Sequence, residues 1–202
     1  ADSFFDLIIT LTTFILVRIS LKKNTNEYRF GYGKAEALSA FIEGVVILLI
    51  SIFILYVGSV TAFFLGLVAL VQNDIKRIIA YSTISQLGYM TAALGASLYS
   101  LAIFHLITHA FFKALLFLCA GSIIIKCHHE QDIRKMGGLR GYMPITYMAF
   151  LYASLSLIGF PLTSGFYSKE TIIDAVGYYG HTIPYTMLLL SIFTTTLYTA
   201  KI

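Results

Sequence analysis

Long apolar segments separated by short polar turns make up almost the whole chain. The apolar runs cover about residues 3–19, 36–57, 60–73, 77–96, 99–125, 143–160, 164–177 and 184–202. A membrane-crossing helix needs about 20 residues, so the longer runs predict full spans and the shorter ones partial or broken spans. No run alternates apolar and polar residues as the strands of a membrane β-barrel do. We therefore predict an all-α, polytopic membrane helix bundle with about six or seven membrane segments.

The run from residue 36 to residue 73 admits two interpretations. A turn near Gly58 would make a hairpin, whereas a kinked single helix would pass straight through. We favour the hairpin, although its second arm, residues 60–73, would reach only about 21 Å at 1.5 Å per residue. With turns there and near Ser97–Ser100, the basic clusters at 18–34, 76–77 and 126–140 share one side of the membrane. The positive-inside rule assigns that side to the cytoplasm, and a single span would invert the orientation downstream.

The composition agrees with this pattern. The 202 residues are 58% hydrophobic and 12% charged, and they include three prolines. A soluble domain of this size could not bury so much apolar surface, whereas a lipid bilayer accommodates it. The net charge of +4 comes from short loops, so we predict no nucleic-acid partner. Cys119 and Cys127 show no metal-binding spacing and are predicted to be unpaired.

Two histidines and a lysine interrupt an otherwise lipid-compatible helix. His105, His109 and Lys113 lie at positions i, i+4 and i+8, so all three project from one helix face. A lysine near the middle of a membrane costs roughly 2.5–3.5 kcal/mol on insertion scales. A row of titratable groups along one face is what a proton path requires. Hydrogen bonds between packed helices are the alternative role for the two histidines.

A second polar site surrounds Pro161. An apolar helix meets glycines and this proline, and Lys169 and Glu170 follow. Proline removes a backbone donor and frees a carbonyl, so we predict a helix break between Gly159 and Gly165. Broken helices at membrane depth place backbone dipoles and a charged residue at a transport site. The alternative is that Lys169 begins a surface turn.

From about Gly58 to Ile202 the sequence resembles the antiporter-like subunit L family of bacterial respiratory complex I (NADH-quinone oxidoreductase). The matching segments are Ala69–Met90, Ile103–Leu118, His128–Asp132, Lys135–Leu139 and Gly165–Glu170. Parts of them are shared with the wider family, which includes multisubunit sodium/proton antiporters. The resemblance implies proton transport by a multi-pass protein of the bacterial inner membrane. Its partners would be the other membrane subunits of complex I and the lipid bilayer.

The resemblance also implies a role for each titratable residue. His105, His109 and Lys113 match the family's central row, which relays protons laterally. Lys169 matches the lysine of the second broken helix, near the proton exit, and Glu170 matches the acidic position beside it. From the residues alone, a carboxylate close to a buried lysine would stabilise its charge, so that a neighbour could switch the lysine.

Residues 1–57 resemble another family, the cation diffusion facilitators, which exchange zinc, iron or manganese for protons. The resemblance rests on Asp2, Asp6 and the segment Phe30–Ala40. The two aspartates lie at i and i+4 and would offer oxygen ligands to zinc or another divalent cation. Such a site is incomplete, because zinc takes four ligands and the family's later His/Asp pair has no match here. The alternative is that both acids interact with a helix dipole.

We therefore interpret the chain as a chimera of two incomplete parts. Residues 1–57 form a cation-efflux-like helix pair, and residues 58–202 form an antiporter-like half-repeat that does not translocate protons alone. The alternative function is a divalent cation/proton antiporter of the cation diffusion facilitator type, which would act as a homodimer. Two cysteines cannot hold an iron–sulfur cluster, and the sequence lacks GxGxxG. We predict no cofactor and no redox centre in this chain, and an enzymatic role only as a membrane subunit.

Overall fold

Seven α-helices make up most of the described chain. The computed structural model describes residues 33–202 together with Thr10, Phe14 and Arg18. The helices are α1 Gly33–Val71, α2 Ile75–Gly95, α3 Tyr99–Lys126, α4 Leu139–Tyr142, α5 Pro144–Ile158, α6 Ser164–Tyr178 and α7 Thr182–Lys201, with a 3-10 turn at Ile133–Lys135. In this part of the chain the only β-pairing is an isolated bridge between Asp74 and Asp132. The predicted all-α fold is confirmed.

Three of the described helices are long and apolar enough to cross a membrane. They include Ala40–Val71, Tyr99–Lys126 and Thr182–Lys201, and Pro144–Ile158 is a shorter apolar helix. Large apolar side chains on α3, such as Phe111 and Leu118, are more than two-thirds exposed. Lipid rather than water is the solvent that suits such a surface. The chain is a polytopic membrane helix bundle, as predicted.

Residues 33–71 form one continuous helix, so the predicted turn near Gly58 is wrong. Gly58 is instead a place where α1 and α2 approach closely, because a Cβ there would collide with the backbone of Ala92. Small residues in membrane helices commonly mark such contacts. The assignment of the three basic clusters to one side of the membrane depended on the turn and loses its basis.

Two compact units, residues 1–51 and 52–202, divide the chain, and the candidate site lies in the second. Within the second unit, α3 packs against α2, α5 and α6, and α7 packs against the same three helices. Two apolar clusters form its core. One contains Ile78 and Phe112, and the other contains Tyr89 and Ala102. The buried polar residues of α2, with His105 and His109 of α3, lie in sequence between the two clusters, so apolar packing borders this polar layer at both ends. Lys113 lies among residues of the first cluster.

The connection between α5 and α6 is broken where the sequence predicted it. Helix α5 ends at Ile158, Gly159 follows with φ of 87°, and α6 begins at Ser164. Gly165 lies so close to Ser156 that a Cβ would overlap the Ser156 carbonyl oxygen. The break therefore sets the start of α6 directly against α5, and Lys169 falls in the second turn of α6.

Helix ends in the second unit are tied together by polar contacts. Asp74 caps α2 by accepting hydrogen bonds from the backbone N–H groups of Lys76 (2.9 Å) and Arg77 (3.2 Å). Lys201 donates to the backbone carbonyl oxygens of Leu70 (2.9 Å) and Gln72 (2.6 Å). A carboxylate at a helix N-terminus and an ammonium at a helix C-terminus both complement the helix dipole.

Candidate functional site

The predicted row of titratable side chains lies on one buried face of α3. His105, His109 and Lys113 are only 1%, 4% and 4% exposed. On the other side of the helix, Ile107 and Phe111 are 53% and 76% exposed. The helical spacing therefore directs the titratable groups inward and the apolar groups outward, as the sequence predicted.

His105 is held at both ring nitrogens. Its Nδ1 lies 2.9 Å from the Ser168 hydroxyl on α6, and its Nε2 lies 3.2 Å from the Gln86 amide oxygen on α2. An amide oxygen only accepts hydrogen bonds, so these partners assign the proton to Nε2 and leave Nδ1 to accept from Ser168. Thr108 donates to the same serine hydroxyl at 3.1 Å. The neutral His105 thus bridges α2 and α6. Its Nδ1, which carries no proton in this form, could bind a second one.

His109 lies between the other two members of the row. Its ring centroid is 6.0 Å from that of His105, and it packs edge-on against Phe112 at 5.3 Å. Its Nε2 is buried and has no hydrogen-bond partner among the described residues. This nitrogen is therefore the least satisfied titratable atom of the row.

The two buried lysines have only neutral partners. Lys113 donates to the Ser82 hydroxyl and, at 3.4 Å, to the backbone carbonyl oxygen of Ile79. Lys169, which is 3% exposed, donates to the Thr195 hydroxyl at 3.2 Å. Its Nζ also lies 4.9 Å from the centroid of the Tyr89 ring, an arrangement that stabilises a cation electrostatically.

Neither buried lysine forms an ion pair within the part of the chain that the structure describes. The charges of Lys113 and Lys169 instead repel each other. A hydroxyl or carbonyl partner remains a satisfactory neighbour when an ammonium becomes an amine, whereas a buried carboxylate would be left with an unpaired charge. The surroundings therefore permit both lysines to gain and lose a proton.

Glu170 does not pair with Lys169 but lies on the exposed side of α6. Both residues line a crevice of about 260 Å³ beside the α5–α6 break, and Asp174 and Tyr185 also line it. Asp174 is exposed, one helical turn after Glu170. Most of the crevice is lined by apolar side chains, and its charged lining residues are Lys169, Glu170 and Asp174.

Several polar residues of the site were missed by the sequence analysis. Ser82, Gln86 and Ser168 each contact one of the predicted titratable residues, and Thr195 contacts Lys169. Serine and threonine in membrane helices often bond only to their own backbone, so their presence alone is a weak signal. For Asp174, the spacing of four residues after Glu170 was available as a signal.

The predicted metal ligands Asp2 and Asp6 lie outside the described residues. Among the residues that the structure does describe, no three His, Cys, Asp or Glu side chains are grouped so that they could hold a metal ion. Cys119 and Cys127 are both free, as predicted.

Comparisons with known proteins identify the family of this chain and several relatives. Residues 31–197 match a family described as "NADH:quinone oxidoreductase/Mrp antiporter, TM". The chain is 58% identical over 148 residues to NADH-quinone oxidoreductase subunit L of Neisseria meningitidis serogroup A, covering 72% of this chain and 22% of that protein. It is 53% identical over 146 residues to the same subunit of Escherichia coli K12, covering 72% and 24%. NADH-ubiquinone oxidoreductase chain 5 of Phytophthora infestans is 63% identical over 118 residues, covering 58% and 18%.

The chain spans less than a quarter of the length of these relatives. Among solved structures, a chain of the membrane-bound sulfane sulfur reductase, an archaeal respiratory membrane complex, matches with a TM-score of 0.69 and 26% identity, covering 81% of this chain and 36% of that one. The family match includes residues 31–57, and the comparisons give no support to a cation diffusion facilitator part or a chimera. The domain boundary after residue 57 stays a prediction.

Proposed function

Because the chain belongs to the NADH:quinone oxidoreductase/Mrp antiporter membrane family, we propose that residues 58–202 form a proton-translocating half-channel of the subunit L type. The observation that supports this most is the buried row of His105, His109 and Lys113 facing Lys169, with neutral partners only. The half-channel acts in the bacterial inner membrane together with other membrane subunits of an NADH-quinone oxidoreductase. We propose that it carries no redox centre or cofactor of its own.

His105 has the geometry of a proton-transfer step. Its Nδ1, which lies beside the Ser168 hydroxyl, can take up a proton and give it up again, while its Nε2–H stays bonded to the Gln86 amide oxygen. A histidine is the side chain best suited to such a step, because it changes charge most readily near neutral pH. His109 continues the row toward Lys113 and takes the proton at its unpartnered Nε2.

The two lysines store protons alternately. Their like charges repel, and a low-dielectric interior screens this repulsion poorly. A proton that arrives on Lys113 therefore favours release from Lys169, and an empty Lys169 favours uptake at Lys113. The Thr195 hydroxyl can partner Lys169 in both states, and the Tyr89 ring stabilises the charged state.

Release follows the crevice beside the broken helix. A proton that leaves Lys169 passes to Glu170 or Asp174, which line the same crevice and are exposed. Apolar clusters border the polar layer of α2 and α3. Glu170 thus acts as an exit carboxylate rather than as an ion-pair partner.

The alternative function, a divalent cation/proton antiporter, rests on Asp2 and Asp6. No observation on the described residues favours this alternative. The zinc site and the homodimer belong to the same alternative. We therefore propose proton translocation alone.

An exchange experiment tests this function. The segment of Escherichia coli subunit L that matches residues 58–202 is replaced by the present sequence, and NADH-driven proton uptake by inverted membrane vesicles is measured per NADH oxidised. We expect the exchanged complex to take up as many protons per NADH as the unmodified complex. A smaller exchange, of residues 99–178 only, is made in parallel and tests whether helices α3 to α6 alone support the same proton uptake. Assembled complexes that oxidise NADH without taking up protons through the exchanged subunit would overturn the proposal.

A further inference from the structure

The fully buried hydroxyl of Ser168 on α6 lies within reach of three hydrogen-bonding groups. It is 2.9 Å from His105 Nδ1, it accepts a hydrogen bond from the Thr108 hydroxyl at 3.1 Å, and the Gly165 carbonyl oxygen is 3.4 Å away. A hydroxyl donates one hydrogen and accepts at two lone pairs. The distances favour donation to His105, because 3.4 Å is long for an O–H···O bond. The Gly165 carbonyl oxygen remains as a second acceptor for the same hydrogen.

The same three contacts also suit the charged form of His105. When Nδ1 gains a proton it changes from an acceptor into a donor, so it no longer accepts the Ser168 hydrogen. That hydrogen then needs another acceptor, and the Gly165 carbonyl oxygen is the one within reach. The serine oxygen keeps one lone pair for Thr108 and offers the other to Nδ1–H. Rotation of a single hydroxyl therefore leaves the group hydrogen-bonded in both states of the histidine.

Thr108 supports this arrangement from the helix that carries His105. Its hydroxyl is half-buried and has two acceptors at 3.1 Å, the Ser168 oxygen and the backbone carbonyl oxygen of His105. A bond to the carbonyl three residues earlier is a local one that threonine commonly forms in helices, whereas the bond to Ser168 crosses from α3 to α6. This second bond occupies one lone pair of the serine oxygen. The serine hydrogen is thereby directed toward its other two neighbours, His105 and Gly165.

We propose that Ser168 is a positioning residue for proton uptake at His105 and that Thr108 orients it; this inference rests on the proposed function. In the neutral state the Ser168 hydroxyl donates to Nδ1. When Nδ1 binds a proton, the hydroxyl turns to the Gly165 carbonyl oxygen, and the serine oxygen accepts from Nδ1–H. The serine keeps its own hydrogen throughout, so only the histidine changes charge. Without this hydroxyl the charged Nδ1–H would have no acceptor among the described residues, and a buried donor without a partner is costly.

Ser168→Ala tests this role in the exchanged Escherichia coli complex, because it removes the acceptor that the charged His105 needs. We expect the rate of NADH-driven proton uptake through the exchanged subunit to fall about tenfold to a hundredfold, the size of one buried hydrogen bond to a charged group. The matched control is Thr171→Val on the same helix. The Thr171 hydroxyl donates only to backbone carbonyl oxygens of α6, so its removal should leave the rate unchanged.

Two variants of Thr108 separate orientation of the serine from packing. Thr108→Val keeps the shape of the side chain and removes the hydroxyl, whereas Thr108→Ser keeps the hydroxyl and removes the methyl group. If Thr108 orients Ser168, the valine variant lowers the rate about threefold to tenfold, the size of a neutral hydrogen bond, and the serine variant stays within about twofold. The reverse order would show that Thr108 only packs, and would contradict the proposal.

A combined variant tests whether the two hydroxyls act together. Thr108→Val combined with Ser168→Ala should be no slower than Ser168→Ala alone, because Thr108 acts through the serine. Losses that multiply in the combined variant would contradict this. If the Ser168→Ala complex does not assemble, the order of the two Thr108 variants decides the question by itself.

Failure of this inference and failure of the proposed function give different results. If Ser168→Ala takes up protons at the normal rate while Lys113→Met does not, His105 needs no serine partner. The inference is then wrong, although the proposed function stands. If Lys113→Met also takes up protons at the normal rate, the proposed function itself fails.

Discussion

Two regions hold their charges in opposite ways: the buried polar axis, which consists of His105, His109, Lys113 and Lys169, and the surface loop at residues 127–138. In the loop, Arg134 binds Asp132 at 2.6 Å and Lys135 binds Glu130 at 2.9 Å. The hydrogen bonds that Arg134 donates to Asp132 are the main reason why the pKa of Asp132 is lowered from 3.8 to about 2. On the axis, Lys113 has hydroxyl and carbonyl partners and no carboxylate.

The charged pairs of the loop lie at the surface, whereas the lysines of the axis are buried with neutral partners, and both differences make a charge on the axis easier to remove. An ion pair stabilises the charged form of both members, so the two ion pairs of the loop stay ionised over the whole physiological pH range. A hydroxyl serves an ammonium and an amine almost equally well, so the axis leaves the charge free to change. The loop anchors a helix end, and the axis is suited to move protons.

The largest expected effect comes from removing an axis charge. Lys169→Met keeps the length of the side chain and removes the only titratable group that lies in both the axis and the exit crevice. We expect the rate of NADH-driven proton uptake through the exchanged subunit to fall roughly a hundredfold or more, as when a positioned acid–base group is deleted. Lys126→Met, at the exposed end of α3, is the matched control and should leave uptake unchanged. If both variants lost proton uptake equally, the claim that axis lysines carry protons and surface lysines do not would be contradicted.

A smaller effect is expected at His105. His105→Gln keeps polar atoms near Ser168 and Gln86 but cannot take up a proton, so uptake should fall by about tenfold to a hundredfold. His128→Gln changes an exposed histidine of the loop and should have no effect on uptake. If His105→Gln pumps normally, the histidine serves only to pack α2 against α6.

Packing separates the two regions as well. A Cβ on Gly88 would lie 2.5 Å from the backbone nitrogen of Ala62, whereas a Cβ on Gly137 in the loop would meet nothing within 4 Å. Gly88→Ala should therefore destabilise the bundle by about 1–3 kcal/mol, and Gly137→Ala should have little effect. Thermal unfolding of the detergent-solubilised proteins checks this. An unchanged Tm for Gly88→Ala would mean that α1 and α2 are less closely packed than described.

The smallest effect is expected for the loop carboxylates. Folding lowers the pKa of Asp132. Its ion pair therefore stabilises the folded protein above pH 3.8, and this stabilisation is lost as the pH falls to about 2. Asp132→Asn should lower the Tm slightly at pH 6, and the difference should disappear near pH 2. Proton uptake at neutral pH should stay the same. A change in uptake would show that the loop charges take part in transport.

Helical periodicity explains how much of this site was predictable. It fixes which residues share a face, so the row on α3 and the break near Pro161 followed from spacing and from proline chemistry. It does not say which helix lies opposite, so the hydroxyls of Ser82 and Thr195 could not be paired with their lysines. The turn at Gly58 failed for a related reason, because a glycine permits both a bend and a close helix contact.

The most direct test of the central claim replaces a lysine by arginine on each side of the comparison. Arginine keeps the positive charge but does not lose its proton in proteins. Lys113→Arg should abolish NADH-driven proton uptake in the exchanged complex, because the axis must carry a charge that comes and goes. Lys135→Arg should leave uptake unchanged, because the loop needs only a permanent cation beside Glu130. Normal uptake with Lys113→Arg would show that Lys113 acts as a fixed charge and would contradict the account.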